Sequence, residues 1–344
     1  MNHLIDPQWF ASLSQIALLG IGALSIVAIL KAADFLVEGA SGLARNLGLS
    51  ELIVGATIVS LGTTTPEAAV SVLAAWTGNT GLALGNAVGS IIADTALVFG
   101  VGCMMMRIPA ERSLLNRQGW LQLLSGALLA ALAYGSYAMN PEDPTLGRNS
   151  GIMLLALLVI YMWFTVKWGR ASQEPREESD EDSAPIWADS LKFLLGLIVV
   201  LVAGQVLVNC VEVLATRWGV SQLVIASTIV AFGTSLPELV VSITAVRTGH
   251  PGLLVGNVIG ADILNVLFVV GSSAFAADLP LVNQEAPNPT QFLDFHLPFM
   301  MGTLILFRIL IVPALKRGEF HKRQGIPLVM VYLIYLTLNG TMMT

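Results

Sequence analysis

Ten apolar runs, each near the length a helix needs to cross the hydrocarbon of a bilayer, leave this chain little choice of architecture. They lie near residues 13–42, 52–78, 81–106, 119–139, 150–169, 189–216, 223–247, 252–276, 292–313 and 325–339, the last being short. Backbone groups in lipid must find partners within their own segment, so the runs are predicted to be helices and the protein an all-α integral membrane protein. Composition agrees, since 55% of the 344 residues are apolar and 12% are charged, about half the charged share of soluble domains. A soluble enzyme and a nucleic-acid-binding module are thereby excluded. The bilayer is the expected surrounding, and no protein partner is implied.

The opening segment "MNHLIDPQWF" has no basic stretch ahead of its apolar run, so the first span is expected to stay as an uncleaved anchor. Cys103 and Cys210 both fall inside spans and read as packing residues rather than a disulfide. The formal charge of -6 comes largely from "QEPREESDEDS" at 173–183, read as a solvated linker. With the N-terminus outside, thirteen basic residues lie at or near cytoplasmic loops: Arg45, Arg107, Arg112, Arg117, Lys167, Arg170, Arg176, Lys192, Arg247, Lys316, Arg317, Lys322 and Arg323. Only two, Arg148 and Arg217, lie outside. This bias predicts an external N-terminus, a cytoplasmic linker and a plasma (inner) membrane protein.

Residues 57–100 align without a gap on 228–271, an offset of 171, with twenty identical positions. The first copy opens with span two and the second with span seven. Five spans is an odd number, so the copies face opposite ways across the membrane. The expected architecture is ten transmembrane helices in two inverted-topology five-helix halves, 1–169 and 189–344, joined by an acidic linker at 170–188. Inverted repeats with polar, interrupted helices in matching positions point to a secondary transporter with its site near the midplane.

The polar residues sit in "GTTTPE" (62–67) and "GTSLPE" (233–238). Pro66 and Pro237 have no amide hydrogen for the carbonyls of Gly62 and Gly233, so helices two and seven are expected to be interrupted. Thr63 and Glu67 are four residues apart, as are Thr234 and Glu238, which in each copy places an oxygen on the carboxylate's face. A carboxylate in mid-membrane costs roughly 2.5–3.5 kcal/mol on insertion scales, so it needs a proton, a base or a metal. The only base near these positions is Arg247, at a helix end. Two carboxylates within a ring of hydroxyls and carbonyls suit a hard cation such as Ca2+. The next helix adds Ser90 and Asp94 after "GNAVGS", and Asp262 and Asn265 after "GNVIGA". Gly85, Gly89, Gly256 and Gly260 read as close-packing positions. Lys31 and Asp34 read as a local pair with Glu38 nearer the cytoplasmic end, and His296 and Asp294 are expected to serve structure.

The motifs "GTTTPE" with "GNAVGSIIAD" and "GTSLPE" with "GNVIGADILN" resemble the two alpha repeats of the sodium/calcium exchanger family, over residues 53–102 and 224–273. The resemblance implies a core of helices two, three, seven and eight, with helices one and six sliding across it, and electrogenic exchange of external Na+ for cytosolic Ca2+. By position it implies that Glu67 and Glu238 are the central carboxylates and that Thr63 and Thr234 give oxygens to Ca2+. Thr64, Ser235 and Ser90 match Na+ positions. Asp94 stands where the prokaryotic pattern has Asn, and Asn265 where it has Asp. Ala261 replaces a Ser ligand, and Ile91 and Asp262 replace Asn, Asp262 adding a ligand or a proton site.

No tightly bound cofactor is expected; Ca2+ and Na+, with H+ as a further candidate, are cargo. A proton-coupled cation antiporter would use the same glutamates and Asp94 as proton carriers. A cation channel is the third reading. An intramembrane hydrolase is disfavoured, because no nucleophile and base pair recurs in the spans.

Overall fold

The computed structural model describes residues 7–171, 184–219, 233, 235–282 and 288–342. Among the described residues nine helices are long and apolar enough to cross a membrane. They match nine of the ten predicted runs. The predicted seventh, 223–247, is described only as a helix over Leu236–Arg247, and its earlier part lies outside the described residues.

After a short helix Pro7–Ser12 the chain enters α1 (Gln15–Leu47), whose start is capped by the Ser14 hydroxyl and whose end is turned by Gly48 at φ 61°, a conformation glycine adopts without strain. Helix α2 (Glu51–Trp76) begins under the Ser50 side chain, and α3 (Thr80–Met105) under that of Asn79. There follow α4 (Arg112–Met139), α5 (Arg148–Ala171), α6 (Ile186–Arg217), α7 (Leu236–Arg247), α8 (Pro251–Ala276), α9 (Phe292–Arg317) and α10 (Gly325–Met342). Three helices widen to π-helical geometry next to the polar motifs: α2 over Gly55–Val59, α3 over Ala93–Val98 and α8 over Asn265–Val270. Such bulges leave backbone groups off the regular ladder and recur at functional sites.

Helix α2 departs from expectation, because Pro66 lies inside one unbroken helix, Ser60–Trp76. The proline removes a single N–H, and a membrane helix tolerates that when neighbouring groups meet the freed carbonyl. In the second copy a helix does begin at the motif. Ser235 (φ -88°, ψ 6°) precedes α7 and Pro237 is its second residue, where an amide hydrogen has no helical acceptor to lose.

Backbone contact, more than side-chain interdigitation, sets the packing at two seams. Helices α1 and α6 run antiparallel, with Gly39 on Phe193, Gly196 on Leu36 and Gly42 on Asp189; a Cβ on Gly39 would stand 2.5 Å from the Phe193 nitrogen. Helix α8 runs parallel to the start of α2, and a Cβ on Gly256 would stand 2.1 Å from the Leu52 carbonyl oxygen, with Gly260 seated on Ala56. Gly256 and Gly260 therefore act as the sequence suggests, whereas a Cβ on Gly85 would meet nothing within 4 Å and one on Gly89 only the Tyr335 hydroxyl at 4.0 Å, so those two are not close-packing positions. In its most apolar window α8 is 94% buried, against 22% for α5 and α10, so α8 is the central helix and α5 and α10 form the rim.

Residues 171 and 184, which flank the linker, define one face of the bundle, the linker face. Two short antiparallel ribbons close the ends: β1 (Ile108–Pro109) pairs with β4 (Glu319–Phe320) on the linker face, and β2 (Thr145–Leu146) pairs with β3 (Leu279–Pro280) on the other. Glu38 pairs with Lys192 of α6 at 2.6 Å. The expected Lys31–Asp34 pair does not form, since the Lys31 side chain is exposed on the outer side of α1. His296 bonds Tyr335 at 3.0 Å, and Asp294 accepts from Thr290 at 2.5 Å, both local links near the start of α9. Both cysteines are free and buried.

Candidate cation site

Four helices, α2, α3, α7 and α8, bring the polar motifs to one interior region. Glu67 is 1% exposed, Glu238 2%, Asp94 1% and Asp262 1%. Glu67 lies within electrostatic reach of Asp94, Asp94 of Glu238 and Asp262, and Glu238 of Glu67. Four acids thus share a buried neighbourhood, and none of the four ion pairs among the described residues involves them.

The hydroxyls converge across the two copies. Ser235 Oγ lies 3.3 Å from Ser90 Oγ, joining α7 to α3. Thr63 Oγ1 donates to Asn257 Oδ1 at 3.3 Å and to the Ser60 carbonyl at 3.3 Å, and it stands beside Glu238. Thr64 is fully buried. Asn265 opens its π-helical stretch, and Asp94 is the second residue of the matching one in α3. Thr234 lies outside the described residues.

Many of these oxygens have no hydrogen-bond partner although buried: Thr64 Oγ1, both carboxylate oxygens of Glu67, Asp94 Oδ1, Glu238 Oε2, Asp262 Oδ1 and Asn265 Oδ1. A buried polar atom left unpaired costs about 1–3 kcal/mol, more for a charge, so seven in one neighbourhood is an arrangement that asks for a positive guest. All seven are oxygen atoms, the donor set for hard cations. Among the described residues no three His, Cys, Asp or Glu side chains stand close enough to hold a metal ion unaided. Hydroxyl, amide and carbonyl oxygens must therefore complete any coordination shell.

Two groups of residues support the site without having been singled out in the sequence. Asn86 Nδ2 donates to Ser71 Oγ at 3.0 Å and to the Glu67 carbonyl at 3.4 Å; its counterpart Asn257 donates to Ser242 Oγ at 3.3 Å. Both pairs recur at the repeat offset, so repeat identity was the available signal. The second group lies around Asp262, whose Oδ2 accepts from Thr95 Oγ1 and, at 2.5 Å, from Gln122 Nε2 of α4. Gln122 lies beyond the aligned repeat, so no repetition marked it. From there the polar path continues outward through Gln118, Thr165 and Tyr161, whose hydroxyl also meets the Ala56 carbonyl at 3.1 Å.

The sequence profile of the family described as sodium/calcium exchanger protein matches this chain twice, over residues 17–167 and 190–340. The inner membrane protein YrbG of Escherichia coli is 36% identical over 266 residues, covering 75% of this chain and 78% of YrbG. The sodium/calcium exchanger MaX1 of Methanosarcina acetivorans is 27% identical over 345 residues, covering 91% and 95%. Among solved structures, the sodium-calcium exchanger NCX_Mj soaked with 10 mM Na+ and zero Ca2+ superposes with a TM-score of 0.79 at 27% identity, over 94% of this chain and 99% of that one.

Proposed function

Because the chain belongs to the sodium/calcium exchanger family, we propose that this polytopic membrane protein is an antiporter that exchanges Na+ for Ca2+ by alternating access. The observation that carries the reading is the set of buried, unpartnered oxygens around Glu67, Glu238 and Asp94. With no base beside them, the carboxylates repel one another until cations neutralise them. Ca2+ and Na+ compete for overlapping oxygens, so each leaves before the other binds. An empty, self-repelling site resists the crossing step, and obligatory exchange follows.

In this reading the chain is two inverted five-helix halves, 1–169 and 189–344, joined by the linker at 170–188. The antiparallel run of α1 on α6 supports inversion, because these are the first helices of the two halves. Glu67, Glu238, Thr63 and Thr234 serve Ca2+. Thr64, Ser235 and Ser90 serve Na+, while Asp94, Asp262 and Asn265 complete the charge and oxygen count. The N-terminus is outside, the linker cytoplasmic and the membrane the inner one, in keeping with the basic residues on the linker face.

A proton-coupled reading draws support from Ala261, which offers no side-chain oxygen, and from the exchange of Asp and Asn between positions 94 and 265. Radioactive calcium uptake into liposomes decides between them. Uptake driven by an outward Na+ gradient at clamped pH is expected. Uptake driven by a pH gradient alone, indifferent to Na+, overturns Na+ coupling in favour of protons.

A further inference from the structure

Between α4 and α9, at their linker-face ends, lies a cavity of about 250 Å3 lined by Arg112, Asn116, Arg308, Val312, Leu315 and Lys316. Three of its six lining residues are cations and none is an acid. Arg308 comes from within the membrane-spanning helix α9 and is the most constrained of the three. Its Nη2 donates to Asn116 Oδ1 at 2.6 Å, and its guanidinium lies 4.4 Å from the Trp120 ring centroid. Gly119 leaves the room for this, since a Cβ there would stand 3.3 Å from Nη1. With one edge fixed by an amide and one face on an indole, Nη1 is buried and has no hydrogen-bond partner.

The surrounding charges do not supply the missing acceptor. Glu111, beside Arg112 in sequence, lines a different cavity together with Glu51 and His250, and Glu319 is taken by Arg107 at 2.9 Å. Arg112 and Lys316 are exposed at the rim, and Val312 is 45% exposed. Trp120, 47% exposed, occupies the amphipathic position that tryptophan favours at a membrane interface. The cavity therefore offers one half-buried guanidinium, two exposed cations at the mouth and an apolar wall of Val312 and Leu315. A planar guanidinium with a free edge is matched to a phosphate or carboxylate oxygen. An apolar wall beside it, with Val312 exposed and Leu315 half-buried on a membrane-spanning helix, suits an anion that carries acyl chains.

We propose that this cavity binds the phosphate headgroup of an anionic phospholipid, with the guanidinium of Arg308 at its wall and Arg112 and Lys316 closing over it. The inference is independent of which ions the protein carries.

The test uses the full-length protein in neutral detergent, with native mass spectrometry during titration by phosphatidylglycerol, by phosphatidylcholine of the same chains, and by inorganic phosphate. Saturable binding of phosphatidylglycerol above phosphatidylcholine is expected. The double variant Arg112→Gln, Lys316→Gln, at two exposed positions, should weaken it about twentyfold, near fivefold per charge. Arg308→Gln should abolish the preference between the two lipids, with thermal unfolding of the same sample reporting that the protein is folded. Equal binding of both lipids by the wild type, or unchanged phosphatidylglycerol binding in the double variant, overturns the proposal. So does inorganic phosphate binding as tightly as the lipid, which would make the cavity a site for a soluble anion.

Discussion

The two copies of the polar motif carry the same proline and glutamate four and five residues after their glycine, yet they occupy different backbone settings. In the first, Pro66 rides inside a continuous helix and Glu67 lies one residue beyond it; in the second, Pro237 and Glu238 form the opening turn of α7. The acids of the following helices differ as well. Asp94 is set in a π-helical stretch, whereas Asp262 comes one turn before the matching stretch and is gripped by Thr95 and by Gln122 from outside the four-helix core. The repeated motifs keep their glutamates while the groups that support them differ. The buried region between them therefore has two unequal sides.

The comparison is broken most directly at the glutamates. Glu67→Gln and Glu238→Gln should each lower Ca2+ flux in liposomes by about 100-fold or more, since each removes a charge from a buried site that needs it. If one variant alone is silent, the halves are less alike than their sequences. Next in size is Gly256→Ala, which forces a Cβ against the Leu52 carbonyl oxygen at 2.1 Å and should cost roughly 2–3 kcal/mol, read as a lowered Tm in detergent. Gly22→Ala is its control, because a Cβ there meets Leu207 at an ordinary 3.7 Å; an equal loss in both would deny that backbone contact matters.

Asp94→Asn should reduce flux about tenfold, one displaced charge being worth near 1.4 kcal/mol, and adding Asn265→Asp should restore most of it. Failure of that rescue would show that the two positions are not interchangeable. Gln122→Leu, which leaves Asp262 one donor fewer, should slow exchange about threefold, in line with one modest hydrogen bond. Smallest is Ala261→Ser, expected to lower the Na+ concentration for half-maximal exchange by about twofold by returning a single hydroxyl. No change there would mean that position 261 faces no ion.

Hydropathy made nine of the described spans legible, because twenty apolar residues in a row admit one solution in lipid. The interruption expected at Pro66 did not occur: sequence records the loss of an N–H but not whether neighbours can meet the freed carbonyl. The pairing of Lys31 with Asp34 failed for a related reason, as spacing along a helix does not say which face meets lipid. In the site, Glu67, Glu238, Asp94 and Ser90 were visible as polar residues in apolar runs, and repetition singled out the glutamates. Gln122 was not, since it lies in α4, outside the repeated motifs, and reaches Thr95 and Asp262, 27 and 140 residues away in sequence. The π-helical stretches carry no residue signature of their own and emerge only from packing.

The ribbons β1–β4 and β2–β3 each join a loop before residue 171 to a loop after residue 184, one at either end of the bundle. With α8 seated on α2 as well, contacts at both ends and in the middle of the bundle tie the helices before residue 171 to those after residue 184. Two separately translated pieces, cut anywhere between those two residues, would find each other in the membrane as a heterodimer does, with a clasp at both ends of their seam.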